Sequence, residues 1–300
     1  MKRIVCLLSL ISLLGFILVG CVQRVDQGGS QTSSDTAAAP AADQDQLAAI
    51  RERGTIRVST DPNYAPQSFL NQQGEFEGFD ADVAREVAKR LGVEVEFVTP
   101  DWDLITAGNW GDQWDMSVGS MAVTTARQEM LDFANPPYYY TPAQFAAADA
   151  SGIDTLEAIN GQTVCVGLST TYESWLNGED LGFPASSLYA QPPTDVTVLP
   201  LQTDNECAQS IQAGRTEFSV FLTSNTVVEA AIAEGVAVHK VGNPVYSENL
   251  AIAFDKAAPL DHASLVAEVS KILADMHSDG TLTKLSEQWF GADLTQDPTK

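Results

Sequence analysis

The chain has 300 residues, with 16 Lys+Arg against 40 Asp+Glu, a formal charge of −24 and a pI near 4.2. So large an acid excess excludes a nucleic-acid binder working through a basic surface. Its 44% hydrophobic and 19% charged residues exclude bulk disorder and leave room for one or two packed domains.

Lys2 and Arg3 precede an apolar run from Ile4 to Gly20, broken by Ser9, Ser12 and Gly15, with the charged and apolar regions of a secretory signal. The run ends in Leu18-Val19-Gly20-Cys21, which resembles a bacterial lipobox, where the Cys is lipidated and becomes the mature N-terminus. Residues 1–20 therefore read as a lipoprotein signal peptide and Cys21 as the lipid attachment site. A transmembrane anchor is the rival, but it needs a longer apolar run. Removing residues 1–20 removes Lys2 and Arg3 and no acid, so the mature chain carries −26. Acidity on this scale either keeps a soluble body dispersed or attracts a cationic ligand. Residues 21–45 are Gln, Gly, Ser, Thr, Ala and Asp-rich and read as a flexible tether.

Beyond the tether, strands and helices alternate. Ile56 and Val58 mark a short strand, and Phe79, Val83, Val87 and Leu91 recur every four residues as an amphipathic helix with Gly92 as its stop. Val93 to Phe97 alternates as a strand, followed by a short helix near Asp103 to Ala107 and a strand at Met116 to Val118. The extended stretch Tyr138 to Phe145 reads as a crossover. A second set follows: a strand at Thr163 to Val166, a helix from about Tyr172, a strand at Val196 to Leu199, a helix at Asn205 to Ala213 and a strand at Phe218 to Leu222. Val245 to Phe254 is a second crossover, and two closing helices carry Leu265, Val269, Ile272, Leu273 and Met276, then Leu282, Leu285 and Trp289. Strand, helix, strand at this spacing implies an α/β fold with parallel crossover units.

Cys6 lies in the signal and Cys21 at its end, leaving Cys165 and Cys207 as the mature pair. In an oxidising compartment they can form one disulfide, here between a strand and a helix; two buried free thiols are the alternative. No metal is expected, because the pair lacks ligand spacing and His239, His262 and His277 form no short coordinating motif.

The segments Asp61-Pro62-Asn63-Tyr64-Ala65-Pro66, Gly78-Phe79-Asp80-Ala81-Asp82, Trp102-Asp103-Leu104-Ile105, Gly119 to Arg127, Asp132 to Tyr138, Ala213-Gly214-Arg215 and Gln288-Trp289-Phe290-Gly291 occur in an order that resembles the family 3 extracytoplasmic solute-binding proteins, the polar amino-acid receptors of ABC importers. The resemblance covers about residues 47–293. It implies a two-lobed, type II periplasmic-binding-protein clamshell, each lobe a mainly parallel sheet flanked by helices, with two crossover hinges. Residues 46–143 would form the first part of lobe 1, 144–246 lobe 2, and 247–300 the return to lobe 1 with the C-terminal helices. It further implies a small polar amino acid as ligand, an ABC permease with its ATPase as partners, no cofactor, and a lipid-anchored extracytoplasmic monomer. The Cys165 and Cys207 pair also resembles a disulfide found in lobe 2 of some members.

The site residues follow from chemistry and resemblance together. Arg127, just after Thr124 and Thr125 at a helix start, can grip a carboxylate through two parallel hydrogen bonds, as the matching Arg does in the family. Ser120 and the backbone of Ala122 would complete that side, although many relatives carry a hydroxyl residue where Ala122 stands. From the other lobe, Thr170 and Thr171 precede a helix and either cap it or meet the ligand's carboxylate. Tyr64, Trp102 and Phe69 match positions that wall the pocket, with core packing as the alternative. Asp61 would meet the ligand's amine or side chain, or stabilise a turn before Pro62. Relatives usually place an Asp at the end of the strand after Gly214-Arg215; here Leu222 or Thr223 stands there, so either Asp61, Thr223, Ser224 or Glu248 takes the amine or the ligand lacks an ordinary α-amine. Two other readings use the same fold: an arogenate or cyclohexadienyl dehydratase, which needs a placed acid that no motif singles out, and a sensing receptor without transport.

Overall fold

The computed structural model describes residues 45–299. The lipoprotein signal, Cys21 and nearly all of the tether lie outside that range. Asp45, placed at the tether's end by composition, instead caps the first helix, α1 (Gln46–Arg53), accepting the Leu47 N–H at 3.0 Å.

The chain then builds β1 (Thr55–Ser59) and a small antiparallel meander, β2 (Asn63–Tyr64), β3 (Ser68–Leu70) and β4 (Phe76–Glu77). The apolar stripe read from the four-residue spacing is α2 (Phe79–Leu91), which buries Phe79, Val83, Val87 and Leu91 and ends at Gly92 in the left-handed region, φ 78°. After it come β5 (Glu94–Val98), α3 (Trp102–Thr106), β6 (Met116–Ala122), α4 (Thr125–Met130) and β7 (Leu131–Phe133). A long strand, β8 (Tyr139–Ala148), leads into β9 (Thr163–Gly167), α5 (Thr171–Leu176), β10 (Thr197–Leu201), α6 (Asp204–Gln212), β11 (Val220–Ser224) and α7 (Asn225–Ala233). The 18-residue β12 (Val238–Asp255) returns, and α8 (Ala263–Ser278) and α9 (Thr281–Phe290) close the fold.

One continuous sheet runs β10-β9-β11-β8-β12-β6-β1-β5, with β7 added beside β12. It contains the same unit twice. β5-β1-β6 and β10-β9-β11 are parallel triplets in the order second, first, third, each bordered by an antiparallel long strand. Hydrophobic burial divides in the same way. Ile56, Val58, Val83, Val87, Leu250, Leu265, Val269 and Leu273 pack in one core, which defines the first lobe. Phe145, Val164, Val166, Trp175, Val220, Leu222 and Tyr246 pack in another, which defines the second. The pleat sends Cys165 and Phe221 to the opposite face of the second sheet, where they meet Cys207 and Val228.

Both long strands pass from one core to the other: Tyr139 lies in the first and Ala143 in the second, and Tyr246 in the second and Leu250 in the first. The crossovers read from the sequence are thus one antiparallel ribbon, β8 with β12, whose register shifts between Val241 and Tyr246.

Cys165 and Cys207 are joined in a disulfide with a Cα–Cα distance of 5.8 Å, tying β9 to α6. It closes a loop with a sequence separation of 42. Cross-linking a loop of this size restricts the unfolded chain by about 4 kcal/mol in the chain-entropy account. Replacing both cysteines by serine should lower the urea midpoint by that much stability, and an unchanged midpoint would show that the bridge contributes nothing.

Candidate functional site

In α/β sheets, ligands collect beyond the carboxyl ends of parallel strands where the strand order reverses. Both triplets point such ends at a single cleft. From the first lobe it is lined by Asp61 after β1, Tyr64 on β2, Trp102 on α3, Ser120 and Ala122 at the end of β6, and Arg127 on α4. The second lobe contributes Gly167, Leu168, Thr170, Thr171 and Tyr172 around the start of α5, Gln202, Thr203 and Asp204 after β10, and Glu248 from the hinge strand β12.

Arg127 is held in place from three sides. Its backbone N–H is capped by the Thr124 hydroxyl at 3.2 Å, Nη1 donates to the Ala122 carbonyl at 3.0 Å, and the guanidinium lies 5.4 Å from the Trp102 ring centroid. Nη2 reaches across the cleft to the Ser169 carbonyl at 3.1 Å. The side chain is buried, and burial pulls its pKa down against the field of Glu248. Among the described residues no carboxylate lies within ion-pair distance of it. A guanidinium remains charged even there, so the site presents a desolvated cation that faces carbonyl dipoles and a π surface.

The floor beneath it is a buried hydrogen-bond network. Asp80, fully buried on the first turn of α2, accepts the Ser120 hydroxyl at 2.7 Å and the Tyr138 hydroxyl at 2.8 Å. The Ser120 N–H donates to Tyr138 Oη at 2.8 Å, and the Tyr139 hydroxyl donates to Ser120 Oγ at 2.6 Å. These bonds hold Ser120 at φ 54°, in the left-handed region that a non-glycine residue enters at a cost of about 1 kcal/mol. In the second lobe, Ser169, in the loop after β9, is also left-handed, at φ 58°, with its N–H donating to Glu173 at 2.6 Å. Each lobe thus turns its backbone sharply where it faces the cleft.

The two threonines divide the roles foreseen for them. Thr170 caps α5, taking the Glu173 N–H at 3.3 Å, and it also lines the cleft. The Thr171 hydroxyl donates to Glu248, which receives the Tyr172 hydroxyl at 2.9 Å on its other oxygen. That hydroxyl is therefore committed to an acid and is not free for a ligand's carboxylate. Thr223, near the end of β11, is fully buried and does not line the cleft; it sits against the Asp204 carboxylate. Phe69 packs its ring edge on Trp289, 6.1 Å away, outside the cleft. Ser224 also lies behind the site, where it bonds Gln67 and Thr226.

Asp204 was not singled out by the sequence. It is the first residue of α6, directly after β10, and its Oδ1 accepts the Gly167 N–H at 2.9 Å. A Cβ on residue 167 would come within 2.6 Å of that oxygen, which is why glycine ends β9. The available signal was positional: Thr203-Asp204 is a cap and first-turn pair at the carboxyl end of a parallel strand. Burial raises the carboxyl pKa of Asp204 to about 8 and that of Asp61 to about 6, although each receives a backbone N–H. Glu248 is also pushed up by burial, against its two hydroxyl donors. Among the described residues, no group of three or more His, Cys, Asp and Glu could hold a metal ion.

The lobes meet around this cleft through direct bonds. Asn63 Nδ2 donates to the Thr203 hydroxyl at 3.2 Å, Gln67 Nε2 to Ser224 at 3.3 Å, and the Thr125 N–H to the Leu181 carbonyl at 3.3 Å. A Cβ on Gly182 would come within 2.0 Å of the Thr125 hydroxyl, so the second-lobe loop closes only because glycine stands there at φ 72°.

The family model for bacterial extracellular solute-binding proteins, family 3, matches residues 56–292. The chain belongs to this family. The L-cystine-binding protein TcyJ of Escherichia coli is 28% identical over 259 residues, spanning 85% of this chain and 90% of that one. The histidine-binding periplasmic protein of Escherichia coli is 26% identical over 242 residues, spanning 80% and 88%. Among solved structures, the ancestral amino acid-binding protein AncCDT-1, a precursor of cyclohexadienyl dehydratase, superposes with a TM-score of 0.67 and 31% identity over 82% of this chain and 99% of that one. An ancestral arginine-binding protein bound to glutamine has a TM-score of 0.67 and 29% identity over 80% and 99%. Their fold is the type II binding-protein clamshell anticipated from the motif order, and the cystine and histidine relatives are named as binding proteins, not enzymes.

The Asp80 network yields a pH test. Its carboxyl pKa is raised by burial from 3.8 to about 7, against the pull of the Ser120 and Tyr138 hydroxyls. A raised acid contributes stability below its unfolded value and loses it as pH climbs through the folded value. Relative to the wild type, Asp80→Asn should therefore gain in melting temperature as pH rises from about 4 to about 7. A difference that is flat across that window would mean that Asp80 does not titrate this way.

Proposed function

We propose that this chain is the receptor of an ABC importer, which captures a polar amino acid between its lobes and presents the closed form to a permease and its ATPase. One observation carries this reading: Arg127 is buried at the seam of the two lobes, bonded to a carbonyl on each, with no carboxylate paired to it. A planar guanidinium in that setting matches a carboxylate arriving with a ligand, and the ligand would repay the desolvation of the charge. Tyr64 and Trp102 wall the space beside it, Ser120 and Ala122 complete its first-lobe side, and Thr170 and Thr171 face it from the second lobe. The names of the cystine- and histidine-binding relatives support an amino acid as the cargo.

Closure is the signal in this proposal. The bonds that join the lobes form only when they meet, so a ligand that bridges Arg127 and the second lobe shifts the population toward the closed form. The signal-like residues 1–20 and the Leu18-Val19-Gly20-Cys21 motif support an exported protein, lipid-anchored through Cys21 and held off the membrane by the tether of residues 21–45. The acid excess supports a body that stays monomeric.

Calorimetry against the common amino acids is the direct test, with at least one expected to bind. Arg127→Ala should weaken that ligand by at least about 100-fold, the scale for removing a desolvated charge partner, while the ligand-free melting temperature stays within about 2 °C. If the variant melts far lower but still binds, Arg127 is structural and the reading fails; turnover of arogenate or prephenate would favour the dehydratase instead.

A further inference from the structure

Among the residues lining the cleft, Arg127 is the one Lys or Arg, whereas Asp61, Asp204 and Glu248 all present carboxylates. Glu248 is accounted for within the protein: both oxygens receive hydroxyls, and its field and that of Arg127 partly offset each other from beyond ion-pair distance. The other two acids have no such offset. The charge acting on Asp61 is Glu206, and the charges acting on Asp204 are Glu248 and Asp61, all of them negative. Asp204 is also more than nine-tenths buried.

Two carboxylates that line one cleft, with acids as the charges acting on each, are costly to bury. The fold nevertheless builds Asp204 in deliberately. Gly167 clears the space for its oxygen and donates to it. The end of β11, where an acid was anticipated and Thr223 stands, thus lies beside an acid delivered by the β10–α6 connection. Across the same cleft lies the unpaired guanidinium, so the negative and positive halves of a ligand both have a receiving group.

We propose that Asp204 accepts the ammonium of the bound solute and that Asp204 and Asp61 together select a cationic amino acid over a neutral one. The proposal rests on the amino-acid reading above. Charge balance gives it direction. A neutral zwitterion leaves the acid excess of the cleft as it was, whereas a cationic side chain reduces it and offers Asp61 a partner. The acidic surface would also favour the approach of such a solute, since an overall charge of −24 attracts cations before contact.

The test is calorimetry on the purified protein at pH 8 and physiological salt with L-arginine, L-lysine, L-glutamine, L-cystine and agmatine. Arginine or lysine should bind at least about 10-fold tighter than glutamine or cystine, the scale of one additional charge-assisted hydrogen bond. Asp61→Asn should collapse the ratio of cationic to neutral affinity toward one. Asp204→Asn should weaken the best amino acid by at least about 30-fold, while the ligand-free melting temperature holds or rises because a buried charge has been removed. Glutamine or cystine binding as tightly as arginine overturns the selectivity and leaves the receptor reading standing. An Asp204→Asn variant with full affinity overturns the role of Asp204. Agmatine has the cation but no carboxylate; if it binds as well as arginine, the carboxylate clamp falls and the cation selectivity survives. If none of the amino acids binds, both readings fall.

Discussion

A guanidinium buried without an ionic partner is the constraint around which this molecule is arranged. Arg127 could not stay at the lobe seam unless carbonyls, an aromatic face and the distant field of Glu248 replaced the water it lost. Each replacement comes from a different element. Ala122 belongs to the central strand of the first lobe, Trp102 to a short helix beside it, Ser169 to the loop after β9, and Glu248 to the ribbon joining the lobes. The residue therefore reads the relative position of both lobes, because moving them apart would strip away one of its two carbonyl partners.

The acids follow the opposite logic. Asp80 lies below the cleft and is completely satisfied by hydroxyls, so it serves as scaffold, pinning the bent backbone at Ser120. Asp82, two residues on, accepts the Trp289 indole N–H at 2.9 Å and so ties α2 to α9. One short motif, Gly78 to Asp82, thus fastens the site floor and the C-terminal helix at once. Asp61 and Asp204 differ in that each is met by a backbone N–H, from Asn63 and Gly167, where Asp80 receives two hydroxyls. Burial alone does not separate these acids, since Asp80, which serves the scaffold, is the most buried of the three.

How much of this was legible in the sequence follows from the range of the interactions involved. The helices α2 and α8 were readable because their burial periodicity is local and strong, and the strand β9 because it is a short apolar run with β-branched residues on both sides of Cys165. The β2–β4 meander and β7 were not, since strands of two or three residues are too short to show a period and are specified by pairing partners. The helix α7 was hidden by the β-branched Thr226, Val227 and Val228 in its first turn, which suit a strand. In the site, Arg127 was legible because Thr124 and the residues before it mark a helix start. Asp204 was not, because what makes it a site residue is Gly167, 37 positions away and adjacent only once two parallel strands have paired. Thr223 was misplaced for the same reason: strand order decides that an acid from α6 stands in front of it.

The ribbon of β8 and β12 has a consequence for how such a molecule moves. Two antiparallel strands bonded to each other resist shear along their length, but twist readily where their pairing is interrupted. Here the crossing itself, Tyr246 to Leu250 against Ala143 to Tyr139, is paired without a break, and the interruption from Val241 to Tyr246 lies inside the second lobe. A joint of two continuously paired strands turns only by twisting as a ribbon, so the lobes are coupled through it and do not tumble independently. A partner that recognises both lobes at once would then sort shut molecules from gaping ones by a single angle, and the mechanical precision of that discrimination would come from the stiffness of two strands, not from the chemistry of the cargo.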